Sequence, residues 1–156
     1  MIGVKVNGLE AMQRKLRGLA AALGDTTRTN HGLSIDLYAF VTKNFQTEGG
    51  MTEAGHWEPL EPETVEWKDR RGYAMILQNT GALRQSFAPF YDREQAGVGA
   101  QQIFDEGRDP DMAAVHEFGL GHVPARPMLP TQEQALGIAM RVYGQFVTAS
   151  RERSGL

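Results

Sequence analysis

Leu9, Met12, Leu16, Leu19 and Leu23 follow a three–four–three–four spacing, which lays one apolar stripe along a helix. Arg14, Lys15 and Arg17 fall off that stripe. Before it, Ile2, Val4 and Val6 alternate with Gly3 and Lys5, a short strand pattern. Gly24 is suited to end the first helix, and Asp25 or Thr26 to cap a second. The second helix is expected to bury Leu33, Leu37, Phe40, Val41 and Phe45, with Gly32 as its weak point. Both stripes read as core.

From Gln46 to Glu58 the period vanishes. QTEGGMTEAGHWE holds three glycines and few apolar residues, so 46–58 reads as a loop, long enough to be functional or mobile. Pro62 suits the first turn of a short helix through about Lys68, since proline lacks the N–H that a helix start leaves unpaired. Two strands are predicted near 84–91 and 96–104, joined by a polar turn over Asp92 to Gln95, with Pro89 marking an edge or a bulge. An acidic loop over 105–111 leads into a helical turn, MAAVHEF. Three prolines in VPARPMLP force an extended segment. Thr131 with Gln134 forms a capping-box pattern for a last helix, expected to bury Leu136, Met140, Tyr143 and Val147 before the tail frays over 151–156. The outline is α+β: N-terminal helices and a C-terminal helix packed on a small, mainly antiparallel sheet with long loops, as one domain over 1–156.

Composition agrees with a globular chain. Of 156 residues, 41% are hydrophobic and 22% charged, which argues against disorder. No apolar run approaches the roughly 20 residues a membrane span needs. The first residues lack the basic-then-apolar pattern of a secretory signal. With no cysteine there are no disulfides and no thiol catalysis, which fits a reducing cytoplasm.

The net charge of −3 is small but segregated. Residues 1–30 carry Lys5, Arg14, Lys15, Arg17 and Arg28 against Glu10 and Asp25, a net of +3. Residues 48–69 carry Glu48, Glu53, Glu58, Glu61, Glu63, Glu66 and Asp69 against Lys68, a net of −6. Such blocks are either solvated faces or complementary surfaces on neighbouring copies. Arg14, Lys15 and Arg17 on one side and Glu58, Glu61 and Glu63 on the other are the candidate subunit interface.

Candidate chemistry is thin. HEFGLGH places His116 and His122 six residues apart, whereas a zinc-gripping helix needs its histidines four apart on one face. Gly119 and Gly121 also interrupt any helix between them. A loop could still gather both rings, with His31 or His56 as a third ligand, so a small His/carboxylate metal hydrolase stands as the alternative reading. No serine has a nucleophile-elbow context, and no glycine-rich phosphate loop occurs. No cofactor is expected.

Several short pieces occur in a telling order. Gly55-His56-Trp57-Glu58-Pro59-Leu60 leads to Thr64 and Lys68, then Ile76-Leu77-Gln78-Asn79-Thr80-Gly81-Ala82-Leu83 with Ser86. Ala114-Val115-His116-Glu117-Phe118-Gly119 and Pro124-Ala125-Arg126-Pro127-Met128-Leu129 follow. This order, over about residues 40 to 130, resembles the phage virion morphogenesis family, the tail completion proteins of Mu-like phages, related to tail-component proteins of long-tailed phages. Trp57, Pro59, Leu60, Thr80, Gly81, Leu83, His116, Gly119, Arg126 and Pro127 carry the match. Glu61 departs from it, standing where the family tends to place a capping serine, and the 105–111 insertion is particular to this chain.

The resemblance implies a non-enzymatic virion protein at the head–tail junction or upper tail tube. It implies a homo-oligomeric ring, hexameric by the tail's symmetry, with the tail tube protein and head–tail connector or neck proteins as partners. Double-stranded DNA would pass through the lumen, and no membrane is involved. Such a protein is made in the host bacterial cytoplasm and ends in the virion tail or neck. The same residues also make local sense. Trp57 can anchor a polar loop, Gly81 suits a turn with positive φ, and Arg126 on a stiff segment suits bidentate pairing with a carboxylate. HEFG then reads as a helix end closed by Gly119.

Overall fold

The computed structural model describes residues 9–72, 75–100 and 112–155. The strand expected at residues 2–6, the 105–111 loop and the far end of the 96–104 strand lie outside them. The elements in chain order are α1 (Leu9–Gly24), α2 (Thr27–Gln46), α3 (Pro62–Asp69) and α4 (Ala82–Ser86). Strands β1 (Phe87–Tyr91) and β2 (Ala96–Ala100), then α5 (Met112–Phe118) and α6 (Gln132–Ser154), complete them. The architecture is α+β, with helices at both ends of the chain and a small antiparallel sheet between.

Helix α2 is the spine. It packs on both strands and on α6. Its buried residues Leu33, Leu37, Val41, Asn44 and Phe45 follow the helical repeat, as the apolar spacing predicted. Phe40 is only half-buried. The core gathers at the C-terminal end of α2, where Val41 and Phe45 meet Trp57, Ile76, Phe87 and Met128. Phe45 packs edge-on against Trp57 and Phe87, with ring centroids 5.5 and 5.8 Å away. Edge-to-face pairs of this kind add roughly 0.5–1.5 kcal/mol beyond the area they bury.

The hairpin pairs Phe87 with Ala100 and Tyr91 with Ala96. Its turn is set by Asp92, whose carboxylate accepts the backbone N–H groups of Glu94 and Gln95 at 2.7 and 2.9 Å. These bonds favour the ionised form and hold the Asp92 carboxyl below its ordinary range. Asn30 on α2 donates to the Asp92 carbonyl, and Arg93 donates to the Gly24 carbonyl, so the hairpin tip is tied to the joint between α1 and α2. Residues 84–86 belong to helix α4 and not to the predicted strand. Gly81 at φ +79° starts a helical turn there, and pairing begins only at Phe87.

Three further expectations are corrected. The α1 stripe was read as core, yet Met12 is 56% exposed and Leu16 47%, with Leu23 exposed as well. Helix α1 meets α6 through the side that carries Lys15 and Gly18, about a quarter turn from the stripe. Helix α6 likewise leaves Leu136, Met140 and Val147 exposed, while Tyr143 is half-buried and bonds Asn30. Residues 151–154 continue α6 where fraying was expected. Gly155 caps the helix in the left-handed conformation, and Lys15 donates to its carbonyl at 2.6 Å.

Candidate functional site: the knot around residues 126–129

The proline-rich segment lacks regular hydrogen bonds of its own, so its backbone must be satisfied by side chains. Trp57 Nε1 donates to the Pro127 carbonyl at 2.9 Å. Asn44 Nδ2, from the buried face of α2, donates to the same oxygen at 2.9 Å and to the Met128 carbonyl at 3.3 Å. From α5, Glu117 accepts the N–H groups of Met128 and Leu129 at 2.6 and 3.2 Å. Arg126 donates its own N–H to the His116 carbonyl at 2.6 Å. Met128 sits fully buried at the centre. Three sequence pieces, from α2, the 46–58 segment and α5, thus meet on four residues of a fourth.

The 46–58 segment, read as a loose loop, is a wound series of turns. Trp57 N–H donates to the Glu48 carbonyl at 2.7 Å, and Asn44 Oδ1 accepts Met51 N–H at 3.1 Å. Glu48 sits at φ +49° with its carboxylate turned inward onto Ile76 N–H, 2.6 Å away. Gln134 inside the α6 capping box reaches the Met51 carbonyl, which locks the start of α6 to the same knot.

The remaining motif residues lie around this centre. Leu60 and Leu83 pack against the core from its rim. Thr80 Oγ1 accepts Ala82 N–H at 3.3 Å before α4. Gly119 ends α5 at φ +66°, and a Cβ there would stand 2.7 Å from Ala125 N. Only glycine fits that approach. Leu120 N–H closes the turn on the Val115 carbonyl.

Arg126 differs from expectation. It is buried, and its guanidinium donates to the Glu58 backbone carbonyl at 3.2 Å; among the described residues no carboxylate pairs with it. Its Nε has no partner among the described residues. Burial pushes the Arg126 guanidinium down from its ordinary value, opposed by the Glu58 charge. Lys68 is buried beside it and donates to the Met75 carbonyl. Burial lowers its pKa, the nearby Glu48 charge raises it, and Arg126 lowers it further.

An open cleft of about 620 Å³ lies outside this cluster, lined by Glu58, Pro59, Leu60, Glu61, Thr64, His122 and Arg126. Its wall mixes both charges, and its only hydroxyl is Thr64. Glu61 caps α3 without a side-chain bond. His122 is exposed on the cleft, while His116 is half-buried with Nδ1 unpartnered among the described residues. Burial first, and Arg126 second, hold His116 below its ordinary value, which favours the neutral ring. Among the described residues, no three His, Cys, Asp or Glu side chains gather closely enough to hold a metal ion.

Asn44 and Glu117 are the residues that sequence reasoning missed. Asn44 interrupts the buried face of α2 between Val41 and Phe45, and a polar residue in an apolar stripe signals a specific backbone partner. Glu117 stands inside HEFGLGH, and its partners, the N–H groups of Met128 and Leu129, leave no local sign in that motif.

This is a protein whose distinctive residues fix backbone to backbone, a structural scaffold in design. The chain belongs to the phage virion morphogenesis family, whose model matches residues 7–152 of 156. Its part is therefore in phage virion structure and morphogenesis. No curated protein and no solved structure matches it. No helix among the described residues is long and apolar enough to cross a membrane.

Proposed function

We propose that this chain is a tail completion or terminator subunit at the head–tail junction, acting by assembly into a ring of about six copies and not as an enzyme. The observation that carries the reading is the set of large apolar side chains left uncovered on α1 and α6: Met12, Leu16, Leu136 and Met140. Each faces water in the single chain, and apolar faces at helical spacing on two packed helices are what a neighbouring subunit covers. In this reading the tail tube protein and the head–tail connector are the further partners, and duplex DNA passes through the lumen.

Native mass spectrometry of the purified chain, with metal analysis of the same sample, tests it. The expected result is a ring mass of about six subunits and no stoichiometric metal. A monomer at concentrations where tails assemble overturns the ring. Stoichiometric zinc that disappears when His116 and His122 become alanine favours a metal hydrolase instead. Gold-labelled antibody on intact virions is expected to mark the neck or upper tail.

A further inference from the structure

Helix α3 is out of place for an eight-residue element. Seven of its eight residues are exposed, and only Lys68 turns inward. A helix this short is marginal in water without packing, so an element so little covered by its own chain is built to be covered by another. It presents Trp67, 42% exposed, with the Arg71 guanidinium 4.1 Å from the ring centroid, and Val65, 41% exposed. Glu61, Glu63, Glu66 and Asp69 lie beside them along the chain, with Arg70 and Arg71 following. Among the described residues, one of these carboxylates has a cation within 4.0 Å, Glu66 with Arg70.

The complementary surface is on α1. Its uncovered stripe holds Met12, Leu16 and Leu23, and its remaining surface carries Arg14, Lys15 and Arg17 against Glu10, a net of +2. Among the described residues neither Arg14 nor Arg17 reaches a carboxylate within 4.0 Å. Lys15 is used within the chain, on the Gly155 carbonyl. Helix α6 carries a smaller excess: Glu133 and Glu152 stand against Arg141, Arg151 and Arg153, a net of +1, and Arg141 is already paired with Asp36.

We propose that α3 of one copy docks on the exposed stripe of α1 of the next, with Trp67 against Met12 and Leu16 and its carboxylates against Arg17 beside that stripe. This rests on the ring reading and names its contact. Two different surfaces of one subunit meet, so the contact is head-to-tail and can propagate around a ring. Tryptophan is among the residues that most often anchor an interface.

Because the chain lacks cysteine, a single new one can be labelled cleanly. Glu63→Cys, beside Trp67 and exposed, is coupled to a benzophenone, and isotope-labelled and unlabelled copies are mixed before illumination. Cross-linked peptides carrying both isotopes, mapped to residues 9–24, are expected, and they are expected to fall at least about fivefold when Trp67→Ala is added to the labelled chain. The far-ultraviolet spectrum and melting temperature of Trp67→Ala check that it still folds. Cross-links to α6, or to no other copy in a sample that is oligomeric by native mass spectrometry, overturn this contact and leave the ring standing. A monomeric sample overturns both. Retention of duplex DNA on a filter that is lost on reversing Arg14 and Arg17, without mixed-isotope cross-links, makes the α1 face a DNA surface and overturns the docking.

Discussion

Trp57 and Asn44 share one acceptor. Each donates to the Pro127 carbonyl at 2.9 Å, one from a wound loop and one from the spine helix. The oxygen's two lone pairs are both used, so loop, helix and proline-rich segment are fixed at one atom. Trp57→Ala removes both the indole that fills the core and one of these bonds, and is expected to cost about 3–5 kcal/mol. Trp57→Phe keeps most of the packing and leaves Asn44 on the oxygen, for a cost nearer about 1–2 kcal/mol. Exposed Glu63→Ala serves as the control and stays within about 0.5 kcal/mol. Urea unfolding of the three variants checks the order. A Trp57→Ala midpoint equal to wild type would show that the indole contributes nothing to the fold.

Gly119 and Gly121 separate two effects that both weigh against a side chain. Both have positive φ, +66° and +70°. At Gly119 a Cβ would also press on the Ala125 backbone, whereas nothing lies within 4 Å of one at Gly121. Gly121→Ala is therefore expected to cost only the left-handed conformation, about 1–2 kcal/mol. Gly119→Ala is expected to cost clearly more and to loosen the Arg126–His116 backbone bond. Thermal melts of both variants, with hydrogen exchange at Arg126, test this. Equal losses would mean that the Ala125 segment shifts aside freely.

Much of this was legible in the sequence, for physical reasons. The α2 stripe, the Pro62 helix start, the Thr131–Gln134 capping box and the closure of α5 by Gly119 all depend on neighbours within a few residues, which the sequence displays directly. The knot was not legible as a knot. Asn44 and Pro127 are 83 positions apart, and only the folded chain reveals that an amide on α2 answers an unpaired carbonyl. The error about α1 has a different cause. Spacing shows that Met12, Leu16 and Leu23 share a face, but not whether that face meets its own chain or another one. The bidentate partner expected for Arg126 failed on the same ground, since a backbone carbonyl leaves no trace in composition.

His116 sets a pH dependence. Burial and Arg126 hold its folded pKa below the ordinary value of 6.5, so the unfolded chain binds the proton more readily. Stability from this group is complete above the unfolded value and is lost as pH falls through the folded one. Wild-type melting temperature is expected to fall as pH drops below the ordinary histidine value of about 6.5. His116→Gln, which cannot take up the proton, is expected to flatten that drop. An undiminished slope in His116→Gln would place the sensitivity elsewhere.

Salt distinguishes the charged part of the proposed contact from its apolar part. Arg14, Lys15, Arg17, Glu58, Glu61 and Glu63 are all exposed, and Glu48, once counted with the acidic block, is turned inward onto Ile76. The charge available to a neighbour is therefore concentrated on residues 58–69. Solvent-exposed charges lose reach as the Debye length falls from about 10 Å at 0.1 M salt to about 3 Å at 1 M. Apolar burial of Trp67 against Met12 and Leu16 does not weaken with salt in that way. Raising salt is thus expected to slow association and loosen the ring without abolishing it, because rim charges act mainly on encounter. Reversing Arg14 and Arg17 to glutamate, with Lys15 left on the Gly155 carbonyl, is expected to do more than salt, since it sets like charges against Glu61 and Glu63. Restoring opposition by changing Glu61 and Glu63 to lysine in the same chain is expected to recover assembly. Sedimentation velocity across a salt series reads all three steps. An oligomer indifferent to salt, reversal and restoration would be held by apolar contact alone, and the charge segregation would then be only a pair of solvated faces.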